Sequence, residues 1–345
     1  MRSIFLNNFL LLILSLATIF KGLFIKKVNA QYFIINDHEA LIDQRSISYT
    51  SFKQVGNNLN FVRSLNVKLS IITYFKFKNL IFINCLEYFS KKMNLKNIIL
   101  LEFIFKLFKI KKLTMIDDYR YLKIFIPICR KLQIETVGYM HGRFSKEIKM
   151  QKFLFLNTFD KYYVWSNYFK NKLLTINSNY KEENIKIFNK FKNIKINKKN
   201  SQTKNIIFVQ EKNIPNNLFF KLSKEFIKSR KYNIYFKSRP NQILDKKITE
   251  FCNINRIKIY DQISFENLVS KKKFDAVIGS NSSSLISASY FNVFPICIKS
   301  KYSLKEFFDE KIVFPLDLKK KILIQIKQII TNKTKLKKIR KKIWE

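Results

Sequence analysis

Glycine and proline are scarce in this sequence, which has only five of each among its 345 residues. The turns must therefore rely on Asn, Asp, Ser and Lys. Neither G-x-x-x-x-G-K-S/T nor G-x-G-x-x-G occurs, so P-loop nucleotide binding and simple dinucleotide binding lose support. The serine elbow G-x-S-x-G is also missing, which removes support for the hydrolases that use it.

Cysteine is also sparse, and its spacing excludes further classes. Cys85, Cys129, Cys252 and Cys297 lie far apart, and no C-x-x-C pair exists. The sequence therefore predicts neither a metal site nor a disulfide framework, and it fits a reducing, cytosolic setting. No zinc-finger spacing or aromatic RNA-binding signature is present, so nucleic acid is not predicted as the main partner.

Acidic residues are few, with 24 Asp and Glu against 66 Lys and Arg and a formal net charge of +42. A charge of this size favours contact with a polyanion or an anionic membrane. The lysines are spread along the chain beside many Ile, Asn and Phe, a pattern that AT-rich coding would also produce. Hydrophobic residues make up 47%, enough for real cores, and the length predicts two ordinary domains or one large one.

An apolar run near the N-terminus has two interpretations. Phe9–Phe20 follows Arg2 and precedes Val28-Asn29-Ala30, which together outline a signal peptide. Lysines at positions 21, 26 and 27 argue against that outline, because charges are unusual between the apolar run and a cleavage site. The run is also shorter than the roughly 20 residues that a membrane span needs. We therefore predict a first helix that is buried or leans on a membrane.

Strand-like and helix-like segments alternate along the whole chain. This alternation predicts an α/β protein with two Rossmann-like domains facing a central cleft. The Lys- and Asn-rich segment Asn189–Lys204 has almost no strong pattern and is predicted to be the linker. We therefore expect one domain over residues 1–195 and a second over residues 196–345.

A serine-rich turn is the clearest candidate for ligand binding. The strand predicted at Phe274–Ile278 leads into the turn, a helix is predicted at Leu285–Phe291 and another strand at Val293–Ile298. Ligands bind beyond the carboxyl ends of such parallel strands, and free backbone N–H groups with a row of hydroxyls favour phosphate. Ordinary N-capping by a serine of the turn is the alternative. The predicted phosphate-binding residues are Gly279, Ser280, Ser282, Ser283 and Ser284.

Two basic residues end another predicted strand of the second domain, Tyr232–Lys237. Lys237 and Arg239 fall on the same side by alternation, and Pro240 stiffens the exit from the strand. Arginine grips phosphate with two hydrogen bonds and lysine acts as a point charge, so both are candidate donor ligands. Ordinary surface charge in a lysine-rich protein is the alternative.

His141 and Asp118 are the candidate catalytic groups of the first domain. His141 follows the predicted strand Thr136–Met140 directly and precedes Gly142, so it lies on the ligand-facing rim of a parallel sheet. A neutral imidazole there could take a proton from an acceptor hydroxyl. The alternative is a histidine that hydrogen-bonds a neighbouring loop. Asp118 ends another strand beside Asp117, and this pair could supply a helix cap, a base or metal ligands. Adjacent carboxylates point in different directions, so one cap with one functional group is favoured over a shared metal ion.

Three patches, in this order along the chain, resemble glycosyltransferases of the GT-B type. They are Ile134–Ser145, Asp160–Leu174, and Tyr235–Pro240 together with Phe274–Ala288, and they cover about a third of the chain. The similarity is closest to transferases of bacterial capsule and surface-polysaccharide biosynthesis, including the CDP-glycerol glycerophosphotransferase and bacterial sialyltransferase groups. Two departures occur: Arg239-Pro240 stands where those groups often have His-Pro, and Tyr119 follows the acidic pair where the sialyltransferase motif has Gly.

The resemblance implies a metal-independent transferase without a cofactor. Its second domain would bind a nucleotide-activated donor, and its first domain a glycan or lipid-linked acceptor that His141 activates. The alternatives are a nucleotide-sugar epimerase of similar fold and a non-catalytic basic protein that binds a membrane or polyanion.

A lipid-linked acceptor also implies work at the cytoplasmic face of the cell membrane. The predicted terminal helix, Leu318–Trp344, carries many Lys and Arg residues interleaved with apolar ones. A basic helix with an apolar stripe can lie on an anionic bilayer, so we predict a peripheral membrane contact there. The alternative is that the stripe packs on the protein itself. The apolar positions of this stripe are Ile322, Leu323, Ile324, Ile326, Ile329, Ile330 and Ile339.

Overall fold

Two compact units organise the chain. A computed structural model describes residues 2–24, 29–35, 59–64, 80–82, 97–116, 119–140, 158–189, 191, 203–211, 215–239, 244–261 and 263–345. The first unit comprises residues 1–165 and 170–188, and the second comprises residues 166–169 and 189–345. The second unit is therefore discontinuous in sequence.

A parallel sheet forms the centre of the first unit. Its elements are α1 (Arg2–Gly22), β1 (Asn29–Ile35), β2 (Leu59–Ser64), β3 (Leu80–Phe82), α2 (Asn97–Leu107), β4 (Lys112–Ile116), α3 (Tyr119–Lys131), β5 (Glu135–Tyr139), β6 (Lys161–Val164), most of α4 (Asn167–Ile176), a 3-10 turn (Glu182–Asn184) and β7 (Ile185–Ile187). The seven strands run in the order β3-β2-β1-β4-β5-β6-β7, and every described pairing is parallel.

The second unit repeats this plan with six strands. Its elements are β8 (Lys204–Val209), α5 (Asn216–Ser229), β9 (Tyr232–Lys237), α6 (Lys246–Ile254), β10 (Lys258–Tyr260), α7 (Phe265–Lys271), β11 (Ala276–Gly279), α8 (Ser284–Tyr290), β12 (Phe294–Ile298), α9 (Lys305–Asp309), β13 (Phe314–Leu316), α10 (Ile322–Thr331) and α11 (Lys333–Trp344). The strand order is β10-β9-β8-β11-β12-β13, again with parallel pairing.

Local sequence explains most of these elements. All residues of β11 and β12 are buried, as expected for strands covered on both faces, and they read as unbroken apolar runs. Side chains cap helices α6 and α7, since Asp245 accepts a hydrogen bond from the backbone N–H of Lys247 and Ser264 accepts one from Asn267. The predicted α/β class with two Rossmann-like sheets is confirmed.

The terminal segment differs from the single helix that the sequence predicts. Asn332 ends α10 and caps α11, because its side chain accepts a hydrogen bond from the backbone N–H of Lys335 at 3.0 Å. Four of the seven predicted stripe positions, Ile322, Ile326, Ile329 and Ile339, are buried in the protein, whereas Ile324 is exposed. The alternative interpretation, that the stripe packs on the protein, is the one the structure supports.

An aromatic cluster fixes the end of α11 in the second unit. Trp344 contacts the rings of Phe169, Phe191 and Tyr290, with centroids 5.0 to 6.3 Å apart. Its indole N–H donates to the hydroxyl of Ser289 at 2.9 Å. Residues 166–169 join the unit through these contacts and through a hydrogen bond from the Tyr168 hydroxyl to the carboxylate of Glu310.

We predict that Ile339→Ala destabilises the second unit. The side chain is 2% exposed, so its truncation removes buried contacts and leaves a cavity that costs about 2–4 kcal/mol of unfolding free energy. Ile254→Ala is the matched control, because that side chain is 81% exposed and its loss should cost less than about 0.5 kcal/mol. Hydrogen exchange of peptides from β8 and β11 measures both. Equal protection in the two variants would contradict the packing of α11.

Candidate functional site

The second sheet reverses its strand order between β8 and β11. From β8 the chain moves outward to β9 and β10, whereas β11 leads to β12 and β13 on the other side. In open parallel sheets, ligands bind in the crevice outside the carboxyl ends of the strands at such a reversal. Glu211 follows β8, and the predicted turn of Gly279 to Ser284 follows β11, so both lie at this position.

The carboxylate of Glu211 occupies the anion-binding face of the serine-rich turn. The backbone N–H groups of Ser280 and Asn281 each donate to both of its oxygens at 2.9 to 3.0 Å, and that of Ser282 donates to Oε1 at 2.7 Å. Glu211 is 7% exposed. The expectation of free N–H groups at these three residues is therefore wrong, because an acidic side chain of the same unit already accepts their hydrogen bonds.

Gly279 allows this close approach. A Cβ atom added there would lie 2.7 Å from Glu211 Oε1 and 2.8 Å from Val209 Cγ2, both shorter than van der Waals contact. Only a residue without a side chain lets the carboxylate reach the turn. Gly279, which the sequence predicts as a phosphate-binding residue, is thus needed at this position, but in the structure it makes room for the Glu211 carboxylate.

The geometry of the turn selects negative charge. Three successive N–H groups converge on one carboxylate, and such a concave arrangement of backbone dipoles favours any anion with suitably placed oxygens. Hydrogen bonds to an ionised acceptor are about twice as strong as neutral ones. Glu211 is the acceptor that these N–H groups bind in the structure, and phosphate binding by the turn stays a prediction.

The serine hydroxyls of the turn fall into two groups. Ser280 is fully buried, and its Oγ has no hydrogen-bond partner among the described residues. Ser282, Ser283 and Ser284 are partly exposed, and Ser282 Oγ accepts a hydrogen bond from the N–H of Ser284 at 3.2 Å. Ser283 is the N-cap of α8 but makes no side-chain capping bond. Capping thus accounts for one hydroxyl of the row.

A cavity of about 90 Å³ opens beside Glu211. Its apolar wall comes from α5, α6 and the four strands β8, β9, β11 and β12, and its polar end is formed by Gln210, Glu211, Asn216 and Ser280. The aromatic side chains that line it are Phe208, Phe219 and Phe236.

Lys237 does not present an exposed charge at the end of β9. It is 4% exposed, and its Nζ donates to the backbone carbonyl of Ser238 at 2.5 Å. Burial lowers the pKa of Lys237 to about 8, although the nearby carboxylates of Asp261 and Glu266 oppose the shift. The expectation that Lys237 and Arg239 point together at a ligand is therefore not met. Arg239 is exposed, and its backbone N–H donates to Gln210 Oε1 at 2.8 Å.

Sequence reasoning missed three acidic residues near this edge of the sheet. Glu211 binds the turn, Asp261 accepts a hydrogen bond from Ser238 Oγ at 2.5 Å, and Glu266 accepts one from Ser287 Oγ at 2.9 Å. Glu211 and Asp261 each come just after a strand, the same signal that singled out Asp118. That signal was present in the sequence, but it does not show what such an acid binds.

The predicted catalytic residues His141 and Asp118 lie outside the described residues, so their roles stay predictions. Within the described part of the chain, no group of three or more His, Cys, Asp or Glu residues could hold a metal ion. The thiols of Cys129, Cys252 and Cys297 are buried and are not joined to one another by a disulfide.

We predict that Glu211→Ala opens the turn to external anions. The change leaves three N–H groups without their acceptor, so the unfolding free energy should fall by about 2–4 kcal/mol in the absence of anions. Inorganic phosphate should then raise the melting temperature of the variant more than that of the unaltered chain. Glu225→Ala, an exposed acid on α5, is the control. An equal response to phosphate in all three proteins would show that these N–H groups bind no external anion.

We also predict that Lys237 makes stability depend on pH. Its pKa in the folded chain is about 8, below the ordinary value of 10.5, so between these values the unfolded state binds more protons. Stability therefore rises with pH across this window, by about 1–3 kcal/mol. Lys237→Met removes the titrating group, so the stability difference between the two proteins should change from pH 7.5 to pH 10 in urea unfolding. A constant difference would contradict the lowered pKa.

The chain resembles known proteins in its fold. No protein-family model and no curated protein sequence matches the chain. Solved structures do match over nearly the full length. MnaA of S. aureus, solved with UDP, has a TM-score of 0.60 and 14% identity, covering 92% of this chain and 91% of that one.

Two further structures illustrate the range of activities on this fold. UDP-GlcNAc 2-epimerase from Neisseria meningitidis, bound to UDP-GlcNAc, has a TM-score of 0.57 and 12% identity, covering 90% of this chain and 93% of that one. The glycosyltransferase SnogD from Streptomyces nogalater has a TM-score of 0.55 and 9% identity, covering 92% and 96%. At such identities the likeness concerns the fold alone. The chain has the GT-B fold, which it shares with UDP-GlcNAc 2-epimerases and glycosyltransferases.

Proposed function

We propose that this chain is a transferase that moves a sugar, or a polyol phosphate, from a nucleotide-activated donor to a surface-glycan or lipid-linked acceptor. The observation that carries the proposal is the anion-selective turn at the strand-order reversal of the second sheet. A ligand with a phosphate group suits that position by charge and by its oxygen acceptors. The fold neighbours that bind UDP or UDP-GlcNAc support a nucleotide-sugar substrate.

The donor phosphate could bind this turn in two modes. In one, the Glu211 side chain swings away and phosphate oxygens accept the N–H groups of Ser280, Asn281 and Ser282. In the other, Glu211 stays, and the phosphate binds the hydroxyls of Ser283 and Ser284 from the solvent side. The response of Glu211→Ala to phosphate separates the two modes.

In the transfer step, an acceptor oxygen attacks the donor carbon or phosphorus, and the bond from that atom to the nucleotide phosphate breaks. Negative charge grows on the departing phosphate, so fixed N–H dipoles and the Arg239 guanidinium would lower the barrier. The proton of the acceptor hydroxyl passes to a general base, and we assign that role to His141 on the family resemblance, with Asp118 as the second acidic or basic group.

A nucleotide-sugar epimerase is the second candidate. Structures of UDP-GlcNAc 2-epimerases match this chain as well as glycosyltransferases do. An epimerase needs no acceptor, so exchange of a sugar-ring hydrogen with deuterated solvent in the absence of any acceptor would favour it over transfer.

We predict that a nucleotide raises the melting temperature and that Arg239 contributes to its binding. The screen uses CMP, CDP, UDP, GDP and their sugars, because ligands of the native state stabilise it by mass action. Arg239→Ala should weaken binding of the active nucleotide about tenfold or more, since charge-assisted hydrogen bonds to phosphate are lost. Ser283→Ala should weaken it less.

Arg230→Ala is the control, because Arg230 caps α5 just before β9 begins, at the other edge of the sheet. No stabilisation by any nucleotide would refute the proposed function. Unchanged affinity in both Arg239→Ala and Ser283→Ala would remove these two residues from the donor site.

A further inference from the structure

Helix α1 buries small polar residues and exposes large apolar ones, which is the opposite of an ordinary surface helix. Its buried positions recur once per turn and include the small residues Ser15, Thr18 and Gly22. The hydroxyls of Ser15 and Thr18 donate to backbone carbonyls of the same helix, at 2.8 and 3.0 Å. Its outward positions are large and apolar: Phe9, Leu10, Ile13, Leu16 and Phe20, followed by Leu23 and Phe24.

The exposure of so many large apolar side chains on one helix is unusual. A surface helix normally places its apolar stripe on the core and its charges outside. Among residues 9–24 the only charged side chain is Lys21. The inward face is satisfied by hydrogen bonds within the helix and by close packing, since a Cβ atom at Gly22 would meet Ile81 and Phe108 at 2.4 and 3.0 Å.

A second helix of the same unit also exposes large apolar side chains, and its end lies near the end of α1. On α2 the exposed residues Ile99, Phe103 and Leu107 are spaced one turn apart. The end of α2 lies near the end of α1, because Phe108 follows α2 directly and sits against Gly22. Of the large apolar side chains that the structure shows as exposed, all but Ile187, Ile254 and Ile324 belong to these two helices or directly follow α1. We call them together the α1–α2 surface.

The exposed charged side chains described beside the α1–α2 surface are lysines, and the mostly buried carboxylate of Glu102 on α2 is paired with Lys106 and Lys131. Lys21, Lys109 and Lys111 are exposed beside it, and residues 2–24 contain no Asp or Glu. The whole chain carries a formal charge of +42. Exposed apolar patches of this extent mark interaction sites, and lysines at the border favour an anionic partner.

We propose that the α1–α2 surface binds an anionic phospholipid bilayer, with its Phe, Leu and Ile side chains inserted at the interface and its lysines at the headgroups. No helix among the described residues is long and apolar enough to cross a membrane. Helices with an apolar face and lysines beside it typically lie in the plane of the interface. This inference does not depend on the proposed function.

The test is sedimentation of the full chain with vesicles of phosphatidylcholine alone and of an equimolar mixture with phosphatidylglycerol. We expect binding to the anionic vesicles, weakened by salt because salt screens the lysines. Ile13→Asn and Phe20→Asn should each reduce partitioning about tenfold, since each removes a large apolar side chain from the inserted face. Ile254→Asn, exposed in the second unit, should have no effect.

A second readout reports insertion directly. Phe20→Trp should be quenched by brominated lipids in the anionic vesicles, whereas Ile254→Trp should not. The proposal is overturned if the chain stays in the supernatant with anionic vesicles at low salt, if both Asn variants on α1 bind like the control, or if Phe20→Trp is not quenched. A lipid-free dimer that Phe20→Asn converts to a monomer, without vesicle binding, would identify a self-association surface instead.

Discussion

The hydrogen bonds from three backbone N–H groups to the Glu211 carboxylate determine the shape of the candidate site. They join the segment after β8 to the turn after β11, across the point where the second sheet reverses its strand order. Buried N–H groups without an acceptor are costly, so this crevice cannot simply stand empty. It holds either a side chain of the protein or an anionic ligand. Such a ligand must bind the three N–H groups more strongly than the carboxylate that it replaces.

The fold was largely predictable because its central strands β11 and β12 are fully buried. Apolar runs such as β11 and β12 stand out when both faces of a sheet are covered, and capping residues such as Ser264 mark helix starts within a residue or two. The site was less predictable because its contacts are not local. Glu211 meets a turn about seventy residues further along the chain, and no short-range pattern encodes that pairing. The depth of Lys237 likewise depends on side chains from other elements.

The two ends of the chain show what a helical pattern leaves open. An apolar stripe indicates that one face of a helix will be buried, but it does not identify what buries that face. In α10 and α11 the lysines point outward and the stripe packs on the second unit, so Leu336, Ile339 and Ile343 are buried. In α1 there are too few polar side chains to define an outward face, and close packing by Ser15, Thr18 and Gly22 decides the orientation instead. Small residues can outcompete large ones for the inside when the neighbouring surface lies close.

The discontinuity of the second unit has a consequence for how the protein is made. Tyr168 and Phe169 leave the ribosome long before their partners Glu310 and Trp344. Domains generally fold as they emerge, but this one must keep an early segment unpaired until nearly all of its own chain has been synthesised. A fragment that starts at residue 189 would therefore leave the rings of Phe191 and Trp344 without one wall of their cluster. Adding a peptide that spans residues 166–169 would restore the missing contact of this cluster.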